Sequence, residues 1–182
     1  MIPIEFLWLA LIVVFGLVGM ARGLYRELGV TTILLLSLFV LKFAWVRLVD
    51  NLLPSLDSQM PGGTLMAAYY IVTIIFVAYI SYEGFSLTFP IRQTTGFSKG
   101  LLGLPGGLLN GYLIVGTIWD VLNQAEYLGF QLPLGSTGET IAISNYLTPL
   151  HNMLVQYMPV TFVNEFVMLT LGMILLLAIV LK

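Results

Sequence analysis

Sixteen side chains in this 182-residue chain carry a formal charge, seven basic and nine acidic, and the gaps between them reach the length of a membrane crossing. A helix needs roughly 20 mostly apolar residues to traverse the hydrocarbon core. Phe6 to Ala21 gives 16 uncharged residues, Leu28 to Leu41 gives 14, Ser58 to Tyr82 gives 25 and Leu101 to Trp119 gives 19. Phe162 to Leu181 closes the chain, with Asn164 and Glu165 in its first turn. The second run is the shortest and needs Lys42 to snorkel from its last turn. The expected fold class is therefore all-α, a polytopic helical membrane protein with five transmembrane helices over 4–21, 28–47, 64–82, 101–119 and 162–181. Residues 1–182 form one transmembrane domain in this reading.

Composition agrees. Hydrophobic residues make up 59% of the chain and charged ones 9%, against about 25% charge in a soluble domain. So few charges would leave large apolar patches in water. This argues against a soluble enzyme, a disordered chain and a nucleic-acid binder. With no cysteine, there is no disulfide framework and no thiolate metal site. The first span lacks a basic leader and a small-residue cleavage site, so it reads as a retained anchor rather than a signal peptide.

Lysine and arginine set orientation. Five crossings put Arg22, Arg26, Arg92, Lys99 and Lys182 on one side, and Lys42 and Arg47 on the other. The N-terminus is then outside and the C-terminus cytoplasmic. Residues 123–160 become an outside loop without lysine or arginine. Within it an amphipathic surface helix is expected near 146–158. Thr148 suits the N-cap and Pro149 the first helical position. Tyr146, Leu150, Met153, Leu154 and Tyr157 form its apolar face, opposite Asn145, Asn152 and Gln156, and Pro159 stops it. Gly135 to Glu139 reads as a turn, and Pro61, Gly62 and Gly63 as the lead-in to the third span.

The fourth span is the most informative. Gly103, Gly107 and Gly111 recur every fourth residue on one helix face, with Gly106 and Gly116 nearby. Small residues at this spacing let another backbone come close, and in lipid such packing drives association. The ridge packs either inside this protein or against a partner. Pro105 either kinks the helix or marks its start. Asn110, the most deeply placed strongly polar side chain, makes an interhelical hydrogen bond or contacts a ligand or ion. Ala21 to Gly29 reads as the first connection. Its Arg22, Tyr25 and Arg26 either set topology and anchor the interface or bind lipid head groups or a partner.

The chemistry that is absent also constrains function. His151, the lone histidine, falls in the surface helix and reads as a polar-face residue, so haem or chlorophyll ligation is not expected. No nucleophile–base set, phosphate loop or metal-spaced acids are visible, and no catalytic, cofactor or metal site is expected. Glu5, Lys42, Glu83, Asp120 and Glu165 sit at span ends. An ion-coupled carrier needs an ionisable group near the midplane.

Two stretches carry a family resemblance. Leu17 to Leu28, with Arg22, Gly23, Arg26 and Glu27, resembles the Arg-Gly-x-x-Arg-Glu signature ending the first span of the bacterial colicin V production (CvpA) family. Thr95 to Gly103, followed by Gly106, Gly107 and Gly111, is similar to that family's Thr-Gly-Leu-Ser segment and glycine-rich span. Glu5 stands where the family has an acid before its first span, and Tyr146 to Pro159 resembles its C-terminal amphipathic helix. The likeness covers about residues 1–159. Lys99 and Gly100 replace the family's Asp-Arg pair, and the last span extends past its usual end. The resemblance implies a bacterial inner-membrane protein linked to colicin export and envelope homeostasis, without an assigned catalytic activity.

Three functions follow in order of preference. The first is a non-catalytic accessory or scaffold subunit that packs against membrane lipids and other integral membrane proteins. Its host would be an energy-transducing assembly, respiratory or photosynthetic, or a second copy of the chain. The second is a passive channel or export component, drawing on Asn110, Thr117 and Thr73. A lipid-directed membrane enzyme is the least supported.

Overall fold

Successive long helices run in alternating directions through the bundle. A computed structural model of the chain describes residues 4–49, 63–84, 87, 97–134, 139–142 and 147–181. Among them are α1 (Ile4–Arg22), α2 (Leu24–Ala44), α3 (Thr64–Glu83) and α4 (Phe97–Gln124). The short α5 (Pro149–Val155) and α6 (Pro159–Phe162) precede α7 (Glu165–Val180). The expected features at Pro61, Gly62, Arg92, Thr95, Gly96, residues 135–138, Asn145, Tyr146 and Lys182 lie outside the described residues.

The all-α membrane fold holds. Four helical stretches, Ile4–Arg22, Leu24–Arg47, Thr64–Glu83 and Gly100–Gln124, are long and apolar enough to cross a bilayer. The last helix is apolar but only 16 residues, about 24 Å at 1.5 Å per residue. It starts later than the expected residue 162 because Val163 is extended and the Asn164 side chain caps the helix at the Phe166 N–H, 2.8 Å away. The second segment, the weakest by charge spacing, is a full helix continued by a π-helical turn, Trp45–Val49. Its start corrects the expected connection at Ala21–Gly29. The break is Gly23 alone, at φ 88° and ψ 155°, a conformation that residues with a Cβ rarely adopt. Nothing from Leu24 onward opposes a helix, so Glu27 falls inside α2.

α4 outruns its expected bounds of 101–119 at both ends and carries Pro105 within it. α5 is a seven-residue helix, about half the expected span. Thr148 caps it through a bond from the His151 N–H. A two-stranded antiparallel hairpin, β1 (Gln131–Leu134) with β2 (Glu139–Ala142), occupies the loop; no alternating apolar pattern announced it.

Helix directions follow from paired contacts. A Cβ added to Gly103 would strike Gly19 O, one on Gly107 would strike Phe15 O, and one on Gly111 would meet Phe15 and Ile12. Trp8 stacks on Trp119 farther along, with ring centroids 5.9 Å apart. α1 therefore lies antiparallel along α4, backbone on backbone. α2 runs parallel to α4, since Glu27 faces Gly106 and Thr31 meets Asn110. α3 is antiparallel to both, with Gly63 near Ala125 and Tyr82 bonded to Glu27. α7 is antiparallel to α2: Gly172 abuts Leu35 and Leu36, and the Lys42 ammonium caps the Val160 and Val163 carbonyls at 2.9 and 3.1 Å. The core gathers where these helices meet, around Leu34, Leu38, Tyr70, Ile74, Leu113 and Met168.

The glycine ridge is thus filled by the protein's own first helix. Gly107→Ala should destabilise the bundle by about 1–3 kcal/mol, as overpacking does. Gly100→Ala, with only Met20 O at 3.5 Å, should stay within about 0.5 kcal/mol of the parent. Thermal unfolding in one detergent compares the two.

Candidate functional site

The side chain around which the interior polar groups assemble is Glu27, and it is fully buried. Its Oε1 accepts from Arg22 Nη1 at 3.2 Å. Its Oε2 accepts from the Tyr82 hydroxyl at 3.0 Å and Asn110 Nδ2 at 2.8 Å. Asn110 Nδ2 also reaches the Glu27 carbonyl at 3.0 Å, and Thr31 Oγ1 donates to Asn110 Oδ1 at 2.7 Å. The Arg22 guanidinium lies over the Tyr82 ring, 4.3 Å from its centroid. Four helices thus converge on one carboxylate.

Depth gives this centre its importance. Asn110 adjoins Gly111, whose neighbours Ile12 and Phe15 flank the middle of α1. The Glu27 carboxylate, in the first turn of α2 and beside the last turns of α1 and α3, reaches that level through Asn110. Glu27 thus keeps to a helix end, as the charges were expected to, but turns into the bundle rather than to its surface. A lone carboxylate in low dielectric is costly, and pairing with full hydrogen bonding offsets that cost. Glycine makes room for it: a Cβ at Gly106 would come within 2.8 Å of Glu27 Cβ.

Of the residues singled out from sequence, Gly103, Gly107 and Gly111 line the α1 contact, and Asn110 makes interhelical hydrogen bonds from α4 to Glu27 and Thr31 of α2. Arg22 turns inward to Glu27 with a side chain 16% exposed. Arg26 is exposed and Tyr25 half-buried. Glu27 and Tyr82 were missed. Their only sequence signal was an acid one helical turn past Gly23, readable as interior once the connection shrinks to that glycine.

A second polar centre closes the opposite end. Glu5, 1% exposed, accepts through Oε1 from the Thr148 backbone N–H at 3.1 Å and hydroxyl at 2.6 Å. His151 is buried, which corrects its reading as a polar-face residue. Its Nε2 lies 2.8 Å from Asn123 Oδ1, and its ring packs against Trp119 and Tyr127. Tyr127 reaches that position through Glu126, Tyr127 and Leu128 at φ 47°, 55° and 57°, a left-handed turn costing about 1–2 kcal/mol per residue. Its hydroxyl accepts from Trp119 Nε1 at 3.1 Å, and burial pushes its pKa up to about 12. Beside this centre Asp120 accepts from the Thr161 N–H, the Thr161 hydroxyl and Gln124, fixing α6.

No protein-family model matches the chain, and no curated protein or solved structure does either. The functional reading rests on the geometry and the sequence.

Glu27→Ala removes the carboxylate that Arg22, Tyr82 and Asn110 share. It should cost about 3–5 kcal/mol, the usual effect of removing one member of a buried ion pair. Asn110→Ala should cost about 1–3 kcal/mol, and the double variant less than the sum. Chemical unfolding of the three variants in mixed micelles reads this. At the other end, burial holds the His151 pKa below its ordinary 6.5, with Glu5 opposing the shift. An unfolded histidine then binds protons that the folded one refuses. The resulting stabilisation is present above 6.5 and is lost as pH falls through the folded value. Acidification should speed proteolysis near α5 in the parent, and His151→Phe should flatten that dependence.

Proposed function

We propose that this chain is a multi-pass, non-catalytic integral membrane protein that acts as an accessory or scaffold subunit, packing against other membrane proteins. The supporting observation is the saturation of the polar centre around Glu27. Both Glu27 oxygens, the Asn110 amide and Thr31 are engaged by one another and by Arg22 and Tyr82, which leaves that centre no open group for a substrate. Thr117, also buried, bonds back to the Leu113 carbonyl of its own helix. That closure favours a packing role over a passive channel. Thr73 belongs to an outward-opening cavity of about 300 Å³ between α2 and α3, walled mainly by Leu36, Val40, Leu41 and Val77.

The outer faces supply the packing surface. Leu7, Val14 and Leu17 on α1, Val72, Ile75 and Phe76 on α3, and Phe166, Ile174 and Val180 on α7 are exposed and apolar. They suit lipid tails and the spans of neighbouring proteins. Because α1 occupies the glycine ridge, a partner would meet these faces. In this reading all five long helices cross, with the N-terminus outside and the C-terminus in the cytoplasm of a bacterial inner membrane. The resemblance to the colicin V production family and the five-to-two basic asymmetry support that placement. The partner would be another integral membrane protein, with a respiratory or photosynthetic assembly as a suitable host.

Native gel separation of membranes solubilised in mild detergent, followed by mass spectrometry, tests the proposal. The chain should migrate with a larger complex. Ile75→Ala with Phe76→Ala should release it while leaving its thermal stability nearly unchanged. A lone, monodisperse chain under those conditions would sink the scaffold reading, as would a liposome flux above that of empty vesicles.

A further inference from the structure

Among the described residues, three buried side-chain polar atoms lack a hydrogen-bond partner: Glu5 Oε2, Trp8 Nε1 and His151 Nδ1. All three belong to the centre at the Glu5 end. Glu5 and Trp8 stand one turn apart on α1, so they share a face. The other oxygen of Glu5 grips Thr148, the residue that caps the helix bearing His151. Trp8 stacks on Trp119, and Trp119 packs on the His151 ring with centroids 5.5 Å apart. The residues that carry the unpartnered atoms therefore meet in one cluster between α1, α4 and α5, with the Tyr127 hydroxyl beside the Trp8 indole.

Their chemistry specifies what fits. Asn123 Oδ1 accepts, so His151 Nε2 carries the ring proton and Nδ1 presents a lone pair. Glu5 Oε2 is likewise an acceptor, whereas Trp8 Nε1–H only donates. One occupant that meets all three atoms must donate twice and accept once. An ammonium has no lone pair for the indole N–H, and an anion has no proton for the carboxylate. A metal ion would face that same N–H, and no trio of metal-binding side chains occurs among the described residues. An alcohol has one proton too few. Water meets all three demands, at the three bonds typical of a buried structural water.

We propose that the Glu5 end of the bundle is a binding site for one water molecule, held by Glu5 Oε2, Trp8 Nε1 and His151 Nδ1 and pinning α5 to α1. The site is independent of the scaffold reading, because it concerns how the loop is closed onto the bundle.

The test uses the full chain in lipid nanodiscs, with tryptophan and histidine labelled by nitrogen-15 and examined by NMR at neutral pH. Trp8→Phe assigns the Trp8 indole signal. That indole N–H should show a cross-relaxation peak to a long-lived bound water, and His151 should be neutral with its proton on Nε2. In His151→Phe the Trp8 water peak should lose most of its intensity, while the Trp119 indole signal, bonded to Tyr127, reports that the fold persists. A Trp8 N–H without a water peak overturns the proposal, as does a doubly protonated His151 bonded directly to Glu5. If His151→Phe fails to fold, the two signals of the parent chain decide it.

Discussion

The bundle depends on how closely α1 approaches α4. Gly19 faces Gly103 and Gly107 with no side chain between the two backbones, and Gly111 receives Phe15 and Ile12. In lipid the hydrophobic effect does little to hold one apolar helix on another, so close van der Waals contact must do so. That contact also sets the depth of everything else. With α1 fixed along α4 and Gly23 reversing the chain after a single residue, the first turn of α2 is delivered into the interior rather than to the surface.

The consequence is Glu27. A short reversal brings an acid into the bundle, and Arg22, Tyr82, Asn110 and Thr31 assemble to satisfy it. Burying the pair need not stabilise the protein relative to an apolar replacement. What it supplies is specificity: one carboxylate joins the end of α1, the start of α2, the end of α3 and the middle of α4, so only one register satisfies all of them. The Glu5 centre plays the same part at the opposite end, tying α1 to the Thr148 cap and the loop helix to Asn123.

Much of this was legible in the sequence, for physical reasons. Long uncharged runs can only be satisfied as helices in lipid, so the long helices were readable to within a few residues at most of their ends. The spacing of Gly103, Gly107 and Gly111 announced a close contact, although spacing alone could not say which helix would fill it. Thr148 and Pro149 announced α5, because capping is local. Asn110 announced an interhelical hydrogen bond, but the carboxylate it meets was not readable. Glu27 looked like part of a connection because nothing local shows that one glycine suffices to turn the chain. His151 looked solvated because a seven-residue helix gives too little periodicity to tell its buried face. The left-handed turn at Glu126 to Leu128 has no sequence signature; tertiary contacts around Tyr127 hold it.

The absence of cysteine offers a direct test of whether α1 fills the ridge of its own chain. A Cβ on Gly16 would lie 3.0 Å from Leu108 Cγ, so Gly16→Cys with Leu108→Cys places two thiols within disulfide reach. Oxidised in native membranes and run without reductant, the double variant should form a bond within one chain and stay at monomer mass. A disulfide that links two chains and doubles the mass would show that the ridge receives a neighbour's helix, contradicting the self-packed bundle.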